Sequence, residues 1–226
     1  MVIGSRRQTV DSNGAGSGSE IVPRMAGGEL AVKRAIDLTL TLLSMPLVLP
    51  ISLIVGILIK LDSKGPVLYS QTRVGKGGKT FRIYKFRSMR QGAEELRPQL
   101  QQMNEADGPV FKIRHDPRVT RIGAFLRKSS LDELPQLINI LKGDMSIVGP
   151  RPPLPDEVEQ YTPHQRGRLA VKPGLTCLWQ ISGRSNVDFD TWVELDLKYI
   201  RTQSIWLDIK IICMTLPAVL KGSGAW

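Results

Sequence analysis

An α+β fold attached to a membrane is what this sequence predicts, and three observations predict it. Residues 38–59, LTLTLLSMPLVLPISLIVGILI, run for 22 residues without a charge. Two stretches rich in β-formers, PVLYSQTRV and KTFRIYKFRSM, flank Gly75-Lys76-Gly77-Gly78. Apolar residues recur at helical spacing over 131–141, and two further helical stretches cover 188–203 and 204–220.

The chain of 226 residues can bury one substantial core. Residues 1–24, MVIGSRRQTVDSNGAGSGSEIVPR, are rich in Gly and Ser without an apolar stripe, so a disordered lead-in is predicted there. Its apolar runs are too short for a secretory signal.

As a straight helix the uncharged run would reach about 33 Å, enough to cross a hydrocarbon core of roughly 30 Å. Pro46 and Pro50 interrupt it. Each lacks an N–H and crowds the preceding turn, and together they free the carbonyls of Leu42 and Pro46. Ser44 can offer its hydroxyl to a carbonyl one turn back, which softens the break. Lys33 and Arg34 precede the run and Lys60 and Lys64 follow it, so the positive-inside rule favours export of neither end. Residues 25–64 are therefore expected to form a re-entrant helical hairpin broken at Ser44, Pro46 and Pro50. One kinked transmembrane helix satisfies the same physics. A buried helix of a soluble protein does not need so long an apolar run.

Residues 65–226 are expected to form a cytosolic, membrane-facing domain. It opens with a β-hairpin turning at the glycine cluster; GxxxxGK[ST] is absent, so the glycines are not a phosphate loop. An amphipathic helix is expected over 92–104. Mixed short basic elements follow over 108–130. Leu131, Leu134, Leu137, Ile138 and Leu141 mark a helix that Gly143 stops. The prolines of DMSIVGPRPPLPDEVEQY argue against regular structure at 144–161, and VKPGLTCLWQISGR reads as strand and turn. Of the two closing helices, the second is strongly apolar with Trp206 near its start; it suits either the headgroup plane or a buried core.

Within SSLDELPQLINILKGD, residues 129–144, stand the neighbouring carboxylates Asp132 and Glu133. Ser130 with Glu133 has the form of a capping box, but that register needs the missing N–H of Pro135. With Asp132 as the N-cap, Pro135 falls at the third helical position. Either register puts Asp132 in the first turn, where an acidic pair ordinarily only complements the helix dipole by about 0.3–1 kcal/mol. Arg127, Lys128 and Arg151 give a further reason for the pair. A helix start surrounded by such cations suits a diphosphate, toward which an aspartate can act as a carboxylate nucleophile. The adjacent glutamate can help hold a divalent cation.

Thirty-one Lys and Arg against 21 Asp and Glu leave a net charge of +10, which favours anionic partners. No RNP-like or helix-turn-helix pattern accompanies that charge, and nucleic acid would leave the apolar run unexplained. Cys177 and Cys213 lack metal-ligand spacing, as do His115 and His164, so neither zinc nor a disulfide framework is expected. A non-catalytic basic adaptor anchored to a membrane would explain the charge and the apolar run, but not the acidic pair among arginines.

KRAIDL at 33–38, YKFRSM at 84–89, SLDELPQLINILKGDMSIVGPRP at 130–152, KPGLTCLWQISGR at 172–184 and ELDLKYI at 194–200 together resemble the bacterial sugar transferases, the monotopic polyprenyl-phosphate phosphoglycosyl transferases. The likeness covers residues 30–226. NEADGPVFKIRHDPRVTRIG at 104–123 and VLKGSGAW at the end are similar to the exopolysaccharide branch, which handles glucose or galactose 1-phosphate.

The resemblance implies transfer of a sugar 1-phosphate from a UDP-sugar to undecaprenyl phosphate, with release of UMP, at the cytoplasmic face of the bacterial inner membrane. It makes Asp132 the nucleophile and Glu133 the support for Mg²⁺ and phosphate, with Asp132 also near the metal. Arg127 and Arg151 are expected to contact phosphate, with Lys85, Arg87, Lys172 and Arg184 as further candidates for the nucleotide, the lipid phosphate or simply headgroups. An anionic membrane surface is an expected partner, and self-association is left open. The family's membrane element breaks at a Ser-Pro step, whereas Met45 stands between Ser44 and Pro46 here. Larger relatives carry membrane helices and a soluble domain ahead of this core, so the chain resembles a minimal or truncated catalytic unit.

Overall fold

The computed structural model describes residues 21–182 and 187–221. Helix α1, Gly28–Asp62, holds both prolines inside it, with no non-helical residue between two arms. The break expected at Ser44, Pro46 and Pro50 thus takes the form of missing hydrogen bonds within a helix, and Ser44 donates to the Thr41 carbonyl at 2.7 Å. Much of the helix is exposed and apolar, including Leu42, Leu43, Leu47, Leu49 and Leu53.

Both ends of α1 are tied to the same domain, and the KRAIDL block supplies one set of ties. Lys33 pairs with Asp208 at 2.5 Å and donates to the Val148 carbonyl at 3.1 Å. Arg34 donates to the carbonyls of Ile140 and Leu141 at 2.5 and 2.9 Å. Asp37 accepts from the Ser146 hydroxyl at 2.8 Å and the Ile147 amide at 3.0 Å. At the far end Asp62 accepts from the Ile122 amide at 3.2 Å, and Val55 and Ile59 pack with Phe86 and Leu126.

Strands β1, Leu68–Val74, and β2, Thr80–Phe86, form the expected antiparallel hairpin, with Leu68 opposite Phe86 and Val74 opposite Thr80. Residues 92–104 are not the expected α-helix. Turns lead into a 3-10 helix over Pro98–Met103, because Pro98 cannot supply the N–H an α-helix would need there. Helix α2, Arg121–Lys128, is capped by Thr120, whose hydroxyl accepts from the Gly123 amide at 2.9 Å.

A 3-10 helix over Leu131–Gln136 runs into α3, Leu137–Lys142, which Gly143 ends in the left-handed conformation. The proline-rich stretch is more regular than its composition suggests. Strand β3, Ser146–Val148, pairs in parallel with β4, Gly174–Thr176, and α4, Pro155–Glu159, starts at a proline, where the missing N–H costs nothing. Short helices α5, Pro163–Arg166, and α6, Leu178–Ile181, precede α7, Phe189–Thr202, and α8, Ile205–Lys221.

The main core gathers Val148, Tyr161, Leu197, Tyr199, Ile200 and Ile211. Helix α8 contributes Ile211 to it, as expected of a core helix, while Trp206 stays 77 % exposed. The ELDLKYI block is structural. Asp196, fully buried, pairs with Arg168 at 2.8 Å, and the Arg168 guanidinium lies 4.9 Å from the Trp192 ring centroid. Of the disordered lead-in expected over 1–24, only residues 21–24 can be compared, and they are ordered. Residues 1–20 lie outside the described residues, but Ile21 packs on the main core and the Arg24 amide donates to the Ile200 carbonyl at 3.1 Å.

Candidate active site

Asp132 and Glu133 sit in the 3-10 helix that follows α2. Neither α-helical register expected for this stretch forms. Ser130 makes no side-chain cap; it takes φ 57°, alone among the described non-glycine residues in having positive φ, and turns the chain sharply out of α2. The tighter 3-10 winding carries the chain through Pro135 before α3 starts. A left-handed serine costs on the order of 1–2 kcal/mol, a local strain set two residues before Asp132.

Lys85 reaches the pair from β2. Its ammonium lies 2.7 Å from Glu133 Oε1 and 3.6 Å from Asp132 Oδ2. The strand is held in place by Asn139 of α3, which is fully buried; its side chain accepts from the Tyr84 amide at 3.1 Å and donates to the Arg82 carbonyl at 2.7 Å. This side chain bonds to the backbone on either side of Ile83, so the lysine and the carboxylates keep a fixed relation.

Arg127 comes from the last turn of α2. Its Nε donates to the Ser88 hydroxyl at 3.0 Å, and this pairing depends on a close backbone approach. A Cβ on Gly123 would lie 1.9 Å from the Ser88 carbonyl oxygen, so only glycine lets α2 approach the YKFRSM turn this closely. Arg151 follows β3, where Gly149 and Gly174 approach so closely that a Cβ on either would strike the other segment's backbone. Its guanidinium lies 5.9 Å from the Trp192 ring centroid. Arg73 of β1, buried, donates to the Pro152 carbonyl at 3.1 Å and so holds the GPRP turn against the hairpin. Burial first, and then Arg151, pull the Arg73 guanidinium down to about 10.

The two carboxylates are unequal. Burial pushes the Asp132 carboxyl above its ordinary range, with Glu133 adding to the rise, and Lys85 and Arg127 oppose this without cancelling it. Burial would raise Glu133 too, but Lys85, by charge and hydrogen bond, and then Arg151 outweigh it and hold Glu133 below the ordinary range. A more basic carboxylate beside a firmly ionised one suits a nucleophile next to an electrostatic partner.

Asp132, Glu133, Lys85, Arg127 and Arg151 thus come together, and the remaining candidates do not. Arg87 is buried away from the pair, donating to the Ser63 carbonyl at 2.8 Å and to that of Lys64; it caps the end of α1. Lys172 is exposed at the other end of α3, beside Arg34. Arg184 lies outside the described residues. Sequence reasoning missed Lys112, which sits within the field of Arg151 and Arg127, and Arg73. The basic stretch 108–130 was a signal for Lys112, without singling it out from its neighbours.

The site can be set beside known proteins at this point. Residues 28–222 match the family model described as bacterial sugar transferase. The chain belongs to the bacterial sugar transferase family. It is 51% identical over 197 residues to a galactosyl transferase, CpsE, of Streptococcus agalactiae, covering 87% of this chain and 44% of that protein. It is 42% identical over 203 residues to an undecaprenyl-phosphate galactose phosphotransferase of Salmonella typhimurium, covering 86% and 42%. The chain therefore spans less than half the length of these two relatives. The exopolysaccharide production protein ExoY of Rhizobium meliloti is 40% identical over 198 residues, with 86% of this chain and 88% of that protein covered.

The Glu133 carboxylate makes no helix cap, and its bond to Lys85 contributes only modestly to stability at neutral pH, so Glu133→Gln should lower the melting temperature by no more than a few degrees. Thermal unfolding in detergent checks this, and a large fall would return Glu133 to a structural role. Activity should fall by about 10²-fold or more, the size commonly seen when a charged group next to a reacting centre is neutralised.

Proposed function

We propose that this chain transfers a hexose 1-phosphate, of glucose or galactose, from a UDP-sugar to undecaprenyl phosphate. The products would be undecaprenyl-diphosphate-sugar and UMP, in the first membrane step of exopolysaccharide assembly. The observation that carries this reading is the buried Asp132 beside the half-buried Glu133, facing Lys85 and the fields of Arg127 and Arg151. The names of the relatives from Streptococcus and Salmonella support the sugar and lipid assignments.

In the proposed cycle a carboxylate oxygen of Asp132 attacks the β-phosphorus of the UDP-sugar. The bond from that phosphorus to the bridging oxygen breaks, and its electron pair leaves with UMP. A phosphate oxygen of the lipid then attacks the sugar-phosphoryl aspartate at the same phosphorus, and the aspartate oxygen departs as the regenerated carboxylate. Arg127, Arg151 and Lys85 offset the repulsion between an anionic nucleophile and an anionic substrate. The elevated basicity of Asp132 favours attack while Glu133 stays ionised.

Mg²⁺ belongs to the same proposal. No three His, Cys, Asp or Glu side chains converge among the described residues, yet Mg²⁺ is commonly held by one or two carboxylates together with substrate phosphates. Asp132 and Glu133 fit that donor set, and the space between them already draws the Lys85 ammonium. The ion would neutralise charge on the diphosphate.

The topology proposed for α1 is re-entrant, with the domain on the cytoplasmic face of the inner membrane. Its support is that both ends of a 35-residue helix bond to one domain, through Lys33, Arg34 and Asp37 on one side and Asp62 on the other. With the exposed Cys213 replaced by Ser, single cysteines at the exposed Glu29 and Lys64 should both be modified from the cytoplasmic side. Modification from opposite sides would overturn the re-entrant topology.

Incubating the detergent-solubilised protein with undecaprenyl phosphate and a panel of UDP-sugars tests the reaction. UMP is expected with UDP-glucose or UDP-galactose; no UMP with any UDP-sugar would overturn the proposed activity.

A further inference from the structure

Lys85 and Arg127 are held at the site in different ways. Lys85 meets the acidic pair directly. Arg127 is bonded through its Nε alone, to the Ser88 hydroxyl at 3.0 Å, and its two Nη nitrogens carry no hydrogen bond or ion pair among the described residues. The side chain is half-buried, yet neither Nη nitrogen is sealed from solvent.

The other half of this bond is a built feature. Ser88 is buried, and it follows Lys85 by three residues on the same stretch of chain. Its carbonyl accepts from the amide of Thr120, the residue that caps α2, at 3.1 Å. Thr120, Gly123 and Arg127 recur at spacings of three and four, so they share one face of α2. The close approach at Gly123 brings Ser88 under that face, where its hydroxyl meets the last turn of the helix.

Two sets of bonds therefore fix Arg127 relative to the acidic pair. Through its side chain it is tied to the segment that sends Lys85 to Glu133, at 2.7 Å. Through its backbone it is tied to the 3-10 helix: its carbonyl accepts from the Ser130 amide at 3.1 Å, and the Ser130 carbonyl accepts from the Glu133 amide at 3.2 Å.

A guanidinium offers five N–H donors in a planar fork, and a phosphate can be met by either of two edges, Nε with one Nη or the two Nη together. The bond to Ser88 occupies Nε and leaves the Nη pair. A long side chain pinned in this way also has less rotamer freedom to lose when a ligand arrives. Resting on the phosphotransfer proposed above, we propose that Ser88 is a positioning residue for that reaction: its hydroxyl holds the Arg127 guanidinium so that the two Nη nitrogens meet the phosphate oxygens of a substrate. The nucleotide diphosphate and the lipid phosphate share that chemistry, so the two half-reactions separate the sources.

The test is a double-mutant cycle of Ser88→Ala and Arg127→Met. It is followed in adduct formation from UDP-sugar alone and in discharge of the adduct by undecaprenyl phosphate. Arg127→Met should slow at least one half-reaction, which identifies the phosphate that Arg127 holds. There Ser88→Ala should lower kcat/KM by about 10-fold, the low end for a lost hydrogen bond to a charged group, while Ser88→Thr, which keeps the hydroxyl, should stay within about 3-fold of the parent. In the Arg127→Met background Ser88→Ala should cost nothing more. A hydroxyl that only steadied α2 would instead cost the same with and without the guanidinium. Should Ser88→Ala fail to fold, Ser88→Cys takes its place in the cycle, because a thiol is a weak acceptor. Losses that multiply in the double variant, a folded Ser88→Ala with parental kcat/KM in both half-reactions, or a folded Ser88→Thr as slow as Ser88→Ala would each overturn the role of Ser88. So would an Arg127→Met variant that keeps the parental rate in both. Failure of the parent protein to release UMP overturns the phosphotransfer reading itself, so the two failures are distinct.

Discussion

Asp132→Asn should abolish UMP release, lowering kcat by about 10⁴-fold or more, because the amide removes the attacking oxygen while keeping its shape. The same variant should melt at a higher temperature than the parent at pH 7 to 8. Burial raises the Asp132 carboxyl in the folded chain above its ordinary value of 3.8. The folded state then holds the proton to higher pH than the unfolded state, so stability falls as pH rises through that window. The penalty is complete above the folded value, and asparagine removes it. The gain should vanish when both states are protonated, below pH 3.8. A variant that is inactive and more stable marks a residue kept for chemistry at the expense of stability; an inactive variant that melts lower at neutral pH would mark a structural one.

The largest effect on stability is expected at Arg168, outside the site. Arg168→Ala leaves Asp196 fully buried without its partner, which commonly costs about 3–5 kcal/mol, on the order of 10 °C in melting temperature for a domain of this size. The variant also loses the guanidinium face against Trp192 and the hydrogen bond to the Tyr161 hydroxyl at 2.8 Å. In the parent, burial pushes Asp196 up to about 6 even with Arg168 beside it. Losing the guanidinium raises it further, so the deficit of the variant should shrink as pH falls from 7 toward 5 and Asp196 takes up a proton. Arg168→Met combined with Asp196→Leu should recover most of the loss, since an apolar pair of similar volume needs no compensation. Thermal unfolding of the two variants in one detergent measures this; equal losses in the single and double variants would show that packing, not charge, dominates.

The long apolar helix was legible because a 22-residue uncharged run has few uses, and the hairpin because β-formers flank a glycine turn. Asp132 and Glu133 stood out through their neighbours, and the structure brings Lys85, Arg127 and Arg151 to them. Other features depend on long-range partners that no local pattern contains. Arg87 lies two residues from Lys85, and the strand's alternation gives no reason for one to cap α1 and the other to meet Glu133. Strands of three residues, such as β3 and β4, are too short to leave a periodic signature. The αL turn at Ser130 was hidden because serine carries no local mark of positive φ. Lys112 is one basic residue among many in 108–130, and no local pattern sets it apart.

The central claim is that Asp132 carries the sugar phosphate as a covalent intermediate, and intact-protein mass spectrometry tests it most directly. Incubated with its UDP-sugar and no lipid acceptor, the parent protein should gain the mass of one hexose phosphate. Undecaprenyl phosphate should remove that mass, and Asp132→Asn should never acquire it. Full turnover by Asp132→Asn, or UMP release by the parent without any such mass, would contradict the claim.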